Sequence, residues 1–198
     1  MSKGQNPNHP KAGSQIVVEP IRNLKDIQAI KKLLADNPLY TAIFTVGINT
    51  NLRAGDILDI RVKQVRHIKA LDEITLREQK TGKARRITLN KVCIEAIKNL
   101  LAWQLYPDDD GYLFRGQRGQ LTVSALSQMV KKWCKTLRIP GNYGSHTLRK
   151  TWGYHQRVTY GVGLPELMTC FNHATQRQTL AYLCIQPEEI KSIYANTL

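Results

Sequence analysis

Apolar residues recur at helical spacing along most of this chain, and one stretch between residues 64 and 90 breaks the pattern. Residues 23 to 36, for example, place Leu24, Ile27 and Ile30 on one helical face. In the exceptional stretch, the segments "HIKA", "EITLRE" and "ARRITLN" alternate in the manner of strands, with "KTG" as a turn between the last two. The chain is therefore predicted to be mostly α with a small three-stranded antiparallel sheet (α+β).

The ends of the chain differ in composition from its middle. Residues 1–20 begin with a polar run rich in Gly, Pro and Asn, which predicts a flexible tail and lacks the apolar region of a secretory signal. Residues 21–186 are predicted to form one domain. Residues 187–198 predict a C-terminal helix that begins at Pro187. Its apolar stripe needs a groove, on its own domain or on a neighbouring subunit, and consists of Ile190, Ile193, Tyr194 and Leu198.

The charge balance indicates a polyanionic partner. Lys and Arg total 29 against 15 Asp and Glu, for a net charge of +14. A domain this basic most often binds nucleic acid. A membrane surface is the alternative, but no helix combines a Lys-rich face with a strong apolar face, and no apolar run is long enough to span a bilayer. No membrane partner is therefore expected.

Cysteine usage and acidic residues argue against a metal site. Cys93, Cys134, Cys170 and Cys184 lie far apart without a C-x-x-C pair, so they are expected to be reduced thiols of a cytoplasmic protein. The segment 108–110 is a run of aspartates that could imitate a metal site, but Gly111 after it favours a solvated turn. No metal or other cofactor is predicted.

Four short motifs carry residues suited to phosphate chemistry. "GSHTLRK" places His146 and Arg149 three residues apart, on one face of a helical turn. "GINTNLRAGDIL" supplies Arg53 and "EQKTGKARRITL" supplies Lys80. "FNHATQRQTLAYL" contains a further histidine and, nine residues later, a tyrosine. Any one of these motifs is weak evidence; their order and spacing together are specific.

Over residues 20 to 198 this set resembles the catalytic domain of the tyrosine recombinases, also called the phage integrase family. "LRAGDIL" is similar to the family's first-arginine motif, with Asp56 at its acidic position, and "HTLR" matches the H-x-L-R box. The interval from His173 to Tyr182 is the family's usual one. One departure is Asn172, where the family commonly has glycine; Asn adopts the left-handed backbone conformation more readily than most residues, so the site is expected to persist.

The resemblance implies a site-specific DNA recombinase, of the integrase or invertase type, that cuts and rejoins DNA through a covalent 3′-phosphotyrosine. Two guanidiniums would offset the charge that develops on the phosphate, a phenol would attack it, and a lysine would protonate the leaving 5′-oxygen. One histidine suits proton transfer at the tyrosine and the other suits a hydrogen bond to the phosphate. The predicted catalytic residues are Arg53, Lys80, His146, Arg149, His173 and Tyr182.

Other residues compete for these roles. Tyr154, Tyr160 and Tyr194 are alternative phenols, but none lies nine residues after a histidine, and Tyr182 itself could be a core residue. Lys83 is the alternative to Lys80. His67 and His155 are predicted to lie at the surface. Trp133 and Trp152 are predicted to lie in the core.

The resemblance also sets expectations about partners. The implied partners are double-stranded DNA and further copies of the chain, which would form a tetramer on paired DNA sites. An accessory DNA-bending protein is compatible with this assembly. The implied setting is prokaryotic or phage. Most members carry an N-terminal helical domain that closes around DNA, so the chain resembles minimal members such as the fimbrial-switch invertases, or a catalytic fragment. Two alternatives are a non-catalytic DNA-binding regulator on the same fold and a nicking-closing enzyme like the type IB topoisomerases.

Overall fold

The computed structural model describes residues 17–79, 82–105, 107–117, 119–185, 194, 195 and 197. Most of the elements along these residues are helices, and the short strands occur as two consecutive pairs. The helices are α1 (Leu24–Leu34), α2 (Pro38–Asn49), α3 (Ala54–Leu58), α4 (Val62–Val65), α5 (Lys91–Trp103), α6 (Val123–Thr136), α7 (Thr147–Val158), α8 (Leu164–Phe171) and α9 (Gln176–Leu183). The strands are β1 (Glu73–Arg77), β2 (Ala84–Thr88), β3 (Arg115–Gly116) and β4 (Gly119–Gln120).

Polar caps fix the starts of several helices. The side chains of Asn23, Asn37 and Asn90 accept hydrogen bonds from backbone N–H groups in the first turns of α1, α2 and α5. Thr122 and Thr175 do the same for α6 and α9. Such caps satisfy donors that the helix itself leaves unpaired. The helices therefore begin close to where the sequence predicts them.

The main core is built around α2, which is apolar on nearly every side. Its residues pack against α1, α3, α5 and α7. Among its side chains, Ile43 and Phe44 are almost fully buried, and Trp133 of α6 contacts Phe44 edge to face. Burial of Trp133 confirms its predicted place in the core. Because α2 touches α7, the core supports the helix that carries "HTLRK".

The predicted three-stranded sheet is wrong. β1 pairs only with β2, antiparallel, so that Glu73 faces Thr88 and Arg77 faces Ala84 within the described residues. The proposed first strand, residues 67 to 70, forms a turn, because the Asp72 carboxylate accepts a hydrogen bond from the backbone N–H of Lys69. The second small sheet, β3 with β4, was not predicted as a hairpin. The observed class is mostly helical with two small antiparallel sheets.

The run of aspartates after Pro107 forms the expected turn. The Gly111 backbone N–H donates to the Asp108 carbonyl. Lys63 and Arg66 form ion pairs with Asp110 and Asp109, respectively. Within the described residues, no group of three or more His, Cys, Asp or Glu side chains is arranged to hold a metal ion.

A second, smaller core joins α7, α8 and α9. Leu167, Phe171 and Leu183 are fully buried at its centre. Half-buried Trp152 and Tyr182 pack around them, and the Trp152 indole meets the Phe171 ring edge to face at 5.6 Å. This cluster is the platform on which most of the predicted site residues lie.

The segment before α1 lies against α7. The Glu19 backbone N–H donates to the Asn142 carbonyl, and the Ile21 N–H donates to the Thr151 hydroxyl. His155 is buried and bridges Ile21 and Thr159, so its predicted surface position is wrong. His67 is exposed, as expected.

The domain boundaries remain predictions, since most of residues 1–20 and 187–198 lie outside the described part. The predicted C-terminal helix is represented only by 194, 195 and 197. Among the helices that the structure describes, none is long and apolar enough to cross a membrane.

Candidate active site

The buried face of α7 carries charge where a helix of this size usually carries apolar side chains. Arg149 and Lys150 are both buried, at 4% and 8% exposure. His146 stands immediately before the first turn of α7 and is exposed. The turn is fixed because the Thr147 hydroxyl accepts from the Gly144 N–H while the Thr147 N–H donates to the Gly144 carbonyl. Buried charges need partners, and their partners define the site.

Neutral oxygens hold the Arg149 guanidinium in place. Its Nε donates to the Asn51 amide oxygen at 3.0 Å, and one terminal nitrogen donates to the Phe171 carbonyl at 3.1 Å. The guanidinium also lies 5.8 Å from the centre of the Tyr182 ring. Burial lowers the pKa of Arg149 to about 10, which still leaves it charged at neutral pH.

Carboxylates surround Arg53. Its Nη1 lies 3.0 Å from Glu78 Oε1 and 3.8 Å from Asp56 Oδ2, without alignment for a hydrogen bond to either. Arg85 donates to the same Glu78 oxygen at 3.0 Å. Asp56 also accepts from the Gln79 backbone N–H at 3.0 Å, which ties α3 to the end of β1. Asp56 therefore links the first arginine to the hairpin that carries the predicted lysine.

The turn between α8 and α9 holds His173 beside the arginines. Asn172 ends α8 in the left-handed conformation, with φ 56° and ψ 49°, which accounts for a residue other than glycine there. The His173 Nδ1 is 3.0 Å from the Thr179 hydroxyl, and its ring stacks on Phe171 at 5.1 Å. Burial lowers the pKa of His173, and Arg149 and Arg53 lower it further. A neutral imidazole is favoured.

Tyr182 lies where these elements meet. Its ring contacts Phe171 at 5.0 Å and His173 at 5.3 Å, and the Lys150 ammonium lies 5.0 Å from its centre. The hydroxyl is buried, with no hydrogen-bond partner among the described residues. Burial raises the pKa of Tyr182, whereas Arg149 and Arg53 act in the opposite direction. The result is a protonated phenol among three cations, Lys150, Arg149 and Arg53.

The competing phenols lie elsewhere, whereas Lys83, the alternative lysine, lines a pocket together with Glu78 and Asn172. Tyr154 is buried against His155 and Arg22, while Tyr160 and Tyr194 are exposed. Lys80 lies outside the described residues, so its predicted role stays a prediction. Of the predicted set, the structure brings together Arg53, Arg149, His173 and Tyr182, and places His146 at the start of the Arg149 helix.

Sequence reasoning missed three residues that shape the site. Asn51 and Phe171 contact Arg149, and no local pattern marks either of them. Glu78, by contrast, could have been found from the sequence. Alternate residues of β1 are buried, namely Ile74 and Leu76, and Glu78 follows on the same side of the chain. A carboxylate on the buried side of a strand implies a cationic partner.

The four cysteines lie in different environments. All four are free, with Cys93 and Cys134 buried in the main core, where burial raises the pKa of each thiol to about 12. Cys184 lies two residues after Tyr182, and its sulfur is 3.1 Å from the Lys150 Nζ. The Cys184 carbonyl accepts from Arg22 at 3.0 Å, which joins the segment before α1 to the end of α9.

Comparison with known proteins gives a consistent family. The model of the phage integrase family matches residues 23–189. A protein of Bacillus subtilis (strain 168), named "Probable integrase/recombinase YoeC", is 31% identical over 184 residues, which span 90% of this chain and 96% of that protein. The similarity therefore extends along nearly the whole of the relative.

Solved structures agree on the fold. The crystal structure of XerA recombinase superposes with a TM-score of 0.75 at 19% identity, over 93% of this chain and 66% of that one. XerH site-specific recombinase, bound to its palindromic difH substrate, gives 0.72 at 19% identity, over 90% of this chain and 52% of that one. The present chain thus spans about half to two thirds of these solved chains, and the similarity establishes the fold.

Proposed function

Because the chain belongs to the phage integrase family, we propose that it is a site-specific DNA recombinase whose nucleophile is Tyr182. The observation that supports this most directly is the meeting of two arginines, a histidine and a buried phenol at one point. This combination suits attack on a phosphodiester. The product of that attack would be a covalent 3′-phosphotyrosine.

The charges of the site support the assignment of the arginines. Within the described residues Arg149 donates its hydrogen bonds to an amide oxygen and a carbonyl oxygen, so no carboxylate is paired with its charge there. Arg53 lies close enough to influence both His173 and Tyr182. Two guanidiniums can stabilise the charge that grows on the non-bridging oxygens during phosphoryl transfer. We assign Arg53 and Arg149 to that task.

The proposed cleavage step balances in atoms and charge. The Tyr182 oxygen forms a bond to phosphorus, the bond to the 5′-oxygen breaks, and the phenol proton leaves toward His146. Lys80, which follows Gln79 in sequence, would protonate the departing 5′-oxygen. His173, favoured in its neutral form, would donate a hydrogen bond to the phosphate. Religation reverses each transfer.

The partner of this reaction is double-stranded DNA. The net charge of +14 and the family support that partner. Exchange between two DNA sites requires several active sites at once, so we propose a homo-oligomer, a tetramer, on paired sites. An accessory DNA-bending protein is compatible with this assembly. The sequence indicates no metal or nucleotide requirement.

Trapping the covalent intermediate tests the proposal. Incubation with DNA nicked near the cleavage site should give a protein–DNA adduct that survives denaturation, and Tyr182→Phe should abolish it. Tyr160→Phe, which changes an exposed phenol, is the matched control and should leave the adduct intact. Arg149→Ala should slow adduct formation by about 10² to 10³, the effect of losing one charge-stabilising group.

The adduct assay, combined with assays of supercoil relaxation and of strand exchange between two sites, separates the alternatives. A non-catalytic regulator would bind the DNA and form no adduct. A nicking-closing enzyme would form the adduct and relax supercoiled DNA without joining two sites. Adduct formation by Tyr182→Phe would show that the nucleophile is misassigned.

A further inference from the structure

Asn51 is buried and has a left-handed backbone in the connection between α2 and α3. It is 2% exposed, and its φ of 53° lies in the left-handed region that favours glycine. A backbone of this kind costs energy for most side chains and persists where the surroundings hold it. Asn adopts this backbone more readily than most residues, but its buried amide still needs hydrogen-bond partners.

The Asn51 side chain joins two elements of the candidate active site. Its oxygen accepts from Arg149 Nε at 3.0 Å, and its nitrogen donates to the Cys170 carbonyl at 2.7 Å. Arg149 in turn donates to the Phe171 carbonyl, the next one along the chain. Asn51 and Arg149 thus bind consecutive carbonyls at the end of α8. That end leads directly to Asn172 and His173.

The chemistry of an amide suits this position better than that of a carboxylate. A carboxylate against Arg149 would offset the positive charge that a phosphate must meet. An amide oxygen fixes the guanidinium through a neutral hydrogen bond and leaves the charge in place. Arg53, by contrast, faces Glu78 and Asp56. The two arginines therefore differ in how much of their charge the protein already neutralises.

We propose that Asn51 is a positioning residue for the cleavage reaction: its amide orients Arg149 and the α8–α9 turn while preserving the charge of the guanidinium. This inference rests on the proposed role of Arg149. Asn51 need not touch the DNA, and it acts through Arg149 and through the turn that carries His173. If Asn51 served only to allow a positive φ, glycine would replace it without loss.

The substitution Asn51→Gly separates these two roles. Glycine adopts φ 53° without strain but cannot bind Arg149 or the Cys170 carbonyl. We expect the first-order cleavage rate on saturating nicked DNA to fall about 10- to 10²-fold, the scale for a misoriented group. The Kd for that DNA should stay within about threefold and the melting temperature within about 3 °C, since the charge is retained and the turn is relaxed.

A second substitution, Asn51→Asp, keeps the size of the side chain and adds a carboxylate next to Arg149. We expect slower cleavage than in Asn51→Gly and also weaker DNA binding, because the added charge competes with the phosphate. The matched control is Asn49→Ala, which removes an amide that bonds Thr45 and Asn90 and does not contact Arg149. It should cleave at the wild-type rate.

The cleavage rate and the melting temperature of Asn51→Gly decide whether Asn51 is a positioning residue. Cleavage by Asn51→Gly within twofold of wild type, in a preparation where Arg149→Ala is slow, would overturn the positioning role. A fall of more than about 10 °C in the melting temperature of Asn51→Gly would also overturn it, since the amide would then be structural. Failure of the wild-type chain to form any adduct would instead count against the proposed function.

Discussion

Gly153 lies in the middle of α7, at the point where the small core meets the site. A Cβ atom added there would stand 2.8 Å from Phe171 Cε2 and closer still to Cζ, with Leu183 Cδ2 at 3.0 Å. Phe171 is fully buried, and its ring supports both His173 and Tyr182. The substitution Gly153→Ala should therefore push this ring by about 1 Å, since carbon atoms normally stay about 3.5–4.0 Å apart.

The expected effect on stability is modest. Overpacking a core costs about 1–3 kcal/mol, whereas replacing a mid-helix glycine by alanine gains about 1 kcal/mol. The net loss is about 0–2 kcal/mol. For a protein of this size, each kcal/mol changes the melting temperature by about 2–4 °C, so the fall should not exceed about 8 °C. Cleavage should fall more sharply, by about 10²-fold, because misplacing reactive groups by about 1 Å has that effect.

Cleavage rates on nicked DNA, beside thermal melting, measure both effects. The same two measurements are made on Phe171→Leu. Its shorter side chain makes room for the added methyl group and also removes the ring that supports His173 and Tyr182. If displacement of Phe171 is the cause, Gly153→Ala combined with Phe171→Leu should behave like Phe171→Leu alone. A Gly153→Ala variant that cleaves at the wild-type rate, or a double variant whose two losses simply add, would refute this reasoning.

Three further predictions concern solution conditions. Cleavage should persist in excess EDTA without ATP, because a phenol and two arginines supply the proposed chemistry, and loss of cleavage under chelation would contradict the tyrosine mechanism. DNA binding should weaken steeply with salt, each phosphate contact adding about 0.9 to the slope of log K against log salt, as titrations at several salt concentrations would reveal. Burial lowers the pKa of His155, so the unfolded state binds more protons than the folded state below about pH 6.5. The melting temperature should therefore fall as the pH drops from 7.5 to 5.5. This fall should be smaller in His155→Gln than in the control His67→Gln, which changes an exposed histidine.

Much of the helical architecture follows from local sequence. Asn37 and Pro38 set the start of α2, and Asn90 sets the start of α5, through contacts within one helical turn. The alternation at residues 67 to 70 misled because four residues cannot distinguish a strand from a turn. There the hydrogen bond from Lys69 to the Asp72 side chain decides the local conformation. The short β3–β4 hairpin is likewise too brief to show a period.

Only part of the candidate site could be predicted from the local sequence. Order and interval along the sequence predicted Arg53, Arg149, His173 and Tyr182 as a group, and the structure brings these four side chains together. Their supporting contacts are not local, since Asn51 lies 98 residues from Arg149 and 119 from Cys170 in sequence. A pairing at that distance leaves no spacing to detect. The burial of His155 escaped prediction for the same reason, as its partner Ile21 is 134 residues away.

The two arginines have unequal roles in the resting site. Glu78 and Asp56 already offset the charge of Arg53, and Arg85 shares the Glu78 carboxylate. Among the described residues the hydrogen bonds of Arg149 go to neutral oxygens, so a phosphate that reached this site would meet a guanidinium without a paired carboxylate. Tyr182, whose pKa is raised by burial and whose hydroxyl lacks a partner in the described part of the chain, stays protonated until then. Because a phosphate can bind Arg149 without displacing a carboxylate, it should engage that arginine first. Transfer of Arg53 from Glu78 to the phosphate would follow, as the step that completes the charge needed for attack.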